Sequence, residues 1–100
     1  MTFKEICLEV LAIAEDLEYG NISFTYGKLS SAMKAGHPAE FVMESLDDLF
    51  VEIQNDIAPS KEKVDKLIKN LKRIKSSFKI QQLSKPIKDL TQYLAEQESN

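Results

Sequence analysis

Apolar residues recur at every third and fourth position along most of this chain, and that spacing restricts it to helices packed on one another. Phe3, Ile6, Cys7, Val10, Leu11, Ile13, Ala14 and Leu17 form one stripe, with Lys4, Glu5, Glu9, Glu15, Asp16 and Glu18 on the other side. Thr2 and Glu5 stand at the spacing of a capping box, which predicts a helix over about 2–18, ended by Tyr19-Gly20-Asn21. From Pro38 a second stripe carries Phe41, Val42, Leu46, Leu49, Phe50 and Ile53, followed by Ile57. From Ser60 a third carries Val64, Leu67, Ile68, Leu71, Ile74 and Phe78. Ile80, Leu83, Ile87, Leu90 and Leu94 keep a similar spacing, interrupted by Ser84-Lys85-Pro86. Proline lacks a donor and disfavours helix at the residue before it, so a break is expected at Lys85, then a short helix to about Glu96. Residues 97–100 are expected to fray.

Between these elements, Ile22-Ser23-Phe24-Thr25-Tyr26 alternates as a strand would, and Leu29, Ala32 and Met33 suggest a helix closed by Gly36. One strand without a partner is not stable, so the segment reads as an extended approach into a short helix. The expected fold is therefore all-α: an antiparallel up-and-down four-helix bundle with an additional short C-terminal helix, one domain over residues 1–100. A chain of 100 residues can bury roughly two-thirds of its surface, and 43% hydrophobic residues suffice for one core. Leu49, Leu67 and Leu71 are expected inside it.

Composition removes most chemistry. A single cysteine excludes a disulfide framework and any multi-thiolate metal site. Cys7 lies on the apolar stripe, where a thiol behaves as a small hydrophobe with a raised pKa. The one histidine, His37, precedes Pro38, a place suited to capping a helix rather than to a general base. Glu40, Glu44 and Asp48 follow one another by helical turns, yet carboxylates on one helix fall short of the six to eight oxygens calcium takes. Glycine-rich phosphate loops, zinc spacings and triad motifs are missing, so no catalytic residue, cofactor or metal is expected. The N-terminus turns acidic before any apolar run and no stretch approaches a bilayer span, which predicts a cytoplasmic protein.

The net charge of −3 hides a division. Residues 1–60 hold eleven acidic and three basic side chains (−8); residues 61–100 hold ten basic and five acidic (+5). Lys61, Lys63, Lys66, Lys69, Lys72, Arg73, Lys75 and Lys79 cover the side of the fourth helix opposite its apolar stripe, and Glu40, Glu44, Asp47, Asp48 and Glu52 give the third helix the complementary sign. One reading is that the acidic and basic helices flank one another and complement each other's fields; the alternative is that part of the basic face meets an acidic protein or an anionic membrane surface. The candidate partner-binding residues are Lys69, Lys72, Arg73, Lys75 and Lys79, with Lys85 and Lys88 beyond the break. A negative overall charge argues against nucleic acid as the partner.

Two resemblances add to this reading. Ile22-Ser23-Phe24-Thr25-Tyr26-Gly27-Lys28-Leu29 is similar to the threonine-tyrosine-glycine helix start in DNA-binding domains of alkyltransferase-like proteins, without the cysteine motif of the active enzymes. More broadly, Leu46-Asp47-Asp48-Leu49-Phe50-Val51-Glu52-Ile53, the turn at Pro59-Ser60 and Val64, Leu67, Ile68, Leu71 and Ile74 resemble the third and fourth helices of pediocin-like (enterocin A-type) bacteriocin immunity proteins. That resemblance implies a cytoplasmic antiparallel four-helix bundle. It also implies protection of the producer by recognition, from inside, of a bacteriocin-occupied membrane sugar transporter, with specificity mainly in the C-terminal half. The alternatives are a small DNA-associated or phage-type regulator and a structural helical oligomer.

Overall fold

The computed structural model describes residues 1–26 and 36–99, and every regular element among them is helical. The short helix expected near Leu29–Met33 falls outside the described residues. Helix α1 (Phe3–Glu18) opens on the capping box: the Glu5 N–H donates to Thr2 Oγ1 at 3.1 Å, and the Thr2 N–H donates to Glu5 Oε1 at 2.9 Å. Phe3, Ile6, Cys7, Val10, Ile13, Ala14 and Leu17 are buried, so the stripe sets the face the helix turns inward. Residues 23–26 follow the bend at Asn21–Ile22 without regular structure and reach the C-terminal end of the helix that ends at Phe78. Ile22 is buried, and the Thr25 N–H donates to the Phe78 carbonyl at 2.9 Å.

Helix α2 (Pro38–Glu44) begins with proline in its first turn, and His37 Nδ1 accepts from the Ala39 N–H at 3.1 Å. The expected single stripe over 38–53 is interrupted here. Ser45 turns its hydroxyl back onto the Val42 carbonyl, and Asp47–Leu49 form a 3₁₀ turn before helix α3 (Phe50–Gln54). A 3₁₀ turn rotates the chain by 120° per residue instead of 100°, so three residues add about 60°. Val42, Leu46 and Leu49 are buried as expected, but Phe50 swings out to 65% exposure. Ile57 is likewise exposed.

Helix α4 (Lys61–Phe78) starts at Ser60, whose hydroxyl accepts from the Lys63 N–H. Val64, Leu67, Ile68, Leu71, Ile74 and Phe78 are all buried. The chain then breaks earlier than Lys85. Lys79 takes the left-handed conformation at φ 55°, Ile80 is buried in extended backbone, and Gln81–Leu83 make a second 3₁₀ turn. Helix α5 (Ser84–Ser99) follows directly and carries Pro86 in its first turn, where a missing N–H is not needed. It is as long as α1 rather than a short appendage, and its last turn is held by an ion pair between Lys61 and Glu98 where fraying was expected.

Helix α1 packs against α2 and α5, and α4 packs against the same two helices from the other side. Phe3 meets Tyr93 with ring centroids 5.7 Å apart while Glu9 reaches Lys85, so α1 and α5 run in opposite directions. Phe41 stacks on Phe78 while Glu52 reaches Lys63, so α2 and α3 run against α4. Phe78 also takes the edges of Phe24 and Tyr26, which closes the core beneath the C-terminal end of α4. Among the described residues, no helix is long and apolar enough to cross a membrane.

Candidate anion-binding groove

Six of the eight basic side chains from Lys61 to Lys79 fall into two groups. Toward its start, each of three lysines finds a carboxylate. Lys61 pairs with Glu98 of α5, Lys63 with Glu52 at 2.6 Å and Lys66 with Asp48 at 2.8 Å. These contacts favour the charged forms. The Lys66 ammonium holds the Asp48 carboxyl below its ordinary value, the Lys63 ammonium does the same for Glu52, and Glu98 raises Lys61.

Toward the end of α4 no such pairing exists among the described residues. Lys72, Lys75 and Lys79 fall at intervals of three and four, which sets them on one side of the helix. Lys88, one turn into α5, faces them across the connection through Ile80 to Leu83. Together with Ser76, Gln81, Ser84 and Ile87, these four lysines line a groove of about 580 Å³. The volume is that of a small-molecule cleft, but the lining is cationic and hydroxylic rather than apolar. Among the described residues, no carboxylate lines it. Like charges gathered on one concave surface repel one another, so an anion entering the groove relieves repulsion as well as gaining attraction.

The other sequence candidates lie elsewhere. Lys69 is exposed on α4 outside the groove. Arg73 borders a separate hollow on the α2 side with Phe41, Glu44 and Asp48. Lys85 is occupied within the molecule: it pairs with Glu9 of α1 at 2.7 Å and with Asp89 at 3.0 Å. Glu9 and then Asp89 raise the Lys85 pKa, and Lys85 in turn lowers that of Asp89. Lys85 therefore clamps α1 to α5. Ser76, Gln81 and Ser84 were missed by sequence reasoning. Ser76 is legible in retrospect, standing four residues after Lys72 and three before Lys79, whereas Gln81 and Ser84 reach the groove only through the geometry of the turn.

Elsewhere the chemistry stays structural. Cys7 is fully buried, and burial pushes its thiol up to about 12, far from a reactive thiolate. His37 spends Nδ1 on capping α2 and sets its ring edge-on to Phe24. Glu18, Glu40 and Glu44 border a hollow of about 420 Å³ beside His37 and Met43. No cluster of metal-ligating side chains occurs among the described residues. Of the Thr25-Tyr26-Gly27 motif, Thr25 and Tyr26 pack on the end of α4, and Gly27 lies outside the described residues. Comparison with known proteins finds no family model, curated protein or solved structure that matches this chain.

Proposed function

We propose that the chain is a non-catalytic binding protein that recognises an anionic partner through the groove of Lys72, Lys75, Lys79 and Lys88. The sharpest form of this reading, carried by the sequence resemblance, is a cytoplasmic bacteriocin immunity protein. Such a protein would protect its host by recognising a bacteriocin-occupied membrane receptor. Its framework is then an antiparallel up-and-down four-helix bundle in which α2 and α3 together form one broken member. The opposed runs of α1 against α5 and of α2–α3 against α4 support that architecture.

One observation carries the binding role: four cations from α4, its cap and α5 share a concave surface that no carboxylate lines among the described residues, in a protein whose net charge is −3. Lys61, Lys63 and Lys66 of α4, and Lys85 of α5, are answered by acids of the fold itself. A chain that is acidic overall repels anions except where such a patch faces outward, so the patch also sets where a partner lands. Expression in a bacteriocin-sensitive strain tests the sharper reading. Survival against at least one member of a panel of peptides is expected, and Lys72→Glu/Lys79→Glu is expected to abolish it. Equal killing with and without the protein across the panel contradicts immunity, and protection that survives the double reversal contradicts the groove.

A second reading, a structural helical oligomer, is favoured by the exposed apolar side chains of Phe50, Val51 and Ile57 around α3. A sedimentation mass of twice 11.4 kDa, lost in Phe50→Ser, is what that reading expects.

A further inference from the structure

Resting on the binding role above, we infer that the groove takes a small soluble ligand carrying adjacent phosphate groups. The lining argues for phosphate over an acidic helix or peptide. Helical and extended peptides dock largely through apolar or aromatic anchors, and among the described residues Ile87 is the single apolar side chain along the groove. The rest is suited to an oxygen-rich anion. Lysines bind phosphate as point charges, each with three donors, and Ser76, Ser84 and Gln81 add neutral donors to the same surface. A carboxylate offers two oxygens to such a set; a chain of phosphates offers many more. Concavity favours a ligand that enters over a flat bilayer surface.

The spacing also sets a length. Lys72 to Lys79 is seven residues, about 10 Å along the axis of α4, and Lys88 stands on the opposite wall. Two or three linked phosphates match cations spread over that distance, whereas a single phosphate meets them all only where the flexible lysine stems converge. Lys79 closes α4 at φ 55°, in the left-handed region, and its side chain lines the groove.

Titration calorimetry with inorganic triphosphate at low salt tests the inference. The whole chain is compared with Lys72→Glu/Lys88→Glu and with the control Lys61→Glu/Lys66→Glu, all checked for unchanged helicity. Parallel titrations use poly-glutamate and phosphatidylglycerol vesicles. Triphosphate is expected to bind the parent chain, to weaken about tenfold or more in the groove variant, and to stay within about threefold in the control. Equal binding by all three proteins overturns the site. Binding of poly-glutamate or vesicles in a Lys72- and Lys88-dependent manner, without binding of triphosphate, overturns the phosphate ligand and leaves the anion-binding role standing. Failure of all three probes overturns both.

Discussion

The two halves of α4 are built from the same residue types and do opposite things with them. In the first half, Lys61, Lys63 and Lys66 are answered by Glu98, Glu52 and Asp48 on the neighbouring helices. In the second, Lys72, Lys75 and Lys79 converge with Lys88 on a surface that no carboxylate borders among the described residues. The apolar stripe beneath runs through both without change, from Val64 to Phe78. Charge on a helix is thus assigned its role by what the fold brings opposite it, and composition alone cannot distinguish an internal tie from an outward-facing one.

Because the stripe is common to both halves, core truncation should not tell them apart. Leu67→Ala and Leu71→Ala are each expected to cost ~2–5 kcal/mol in urea unfolding, and Ile74→Ala about as much. A cost confined to one half would mean that the core is not continuous under α4. Surface changes should separate the halves instead. Lys72→Glu/Lys79→Glu is expected to lower affinity for an anionic partner about tenfold or more while changing stability by no more than about 0.5 kcal/mol per site. The same reversal at Lys61 and Lys66 should leave affinity nearly untouched.

Acid unfolding sharpens the contrast. Asp48 and Glu52 have folded-state pKa values lowered by Lys66 and Lys63, so their contribution is present above the ordinary carboxylate values of 3.8 and 4.5. It is lost as pH falls through the lowered folded-state values. Replacing Lys63 and Lys66 by Met should therefore flatten the decline of unfolding free energy on acidification. Replacing Lys72 and Lys75 by Met should leave that decline as it is. An identical acid slope in both variants would erase the distinction. The smallest effect is expected at Lys79→Gly. Relief of the left-handed conformation and the added freedom of the unfolded chain oppose one another, leaving stability within about 1 kcal/mol, while one cation of the groove disappears.

How much of this was legible beforehand follows from which interactions are local. The stripes of α1 and α4, the Thr2–Glu5 box and the cap at His37 depend on residues within a turn of one another, and the sequence reading placed them. The 3₁₀ turn at Asp47–Leu49 was not legible, because a hydroxyl returning to a carbonyl and a 20° change per residue leave the apolar spacing almost intact. It nevertheless turned Phe50 outward. The break after Phe78 was placed too late because proline marked Lys85, whereas the chain turns at Lys79, a residue type that carries no turn signal. Of the seven basic candidates, four gather in the groove. Lys85 is withdrawn by Glu9, a residue 76 positions away whose proximity is created only when α1 docks on α5.

The central claim is that the cations of α4 are divided into structural and recognising halves. Lysine side-chain NMR signals, followed while inorganic triphosphate is added at low salt, test it most directly. Progressive, saturable shifts at Lys72, Lys75, Lys79 and Lys88, with Lys61, Lys63 and Lys66 unmoved, are the predicted result. Equal shifts along the whole helix, or shifts confined to its first half, would contradict the division.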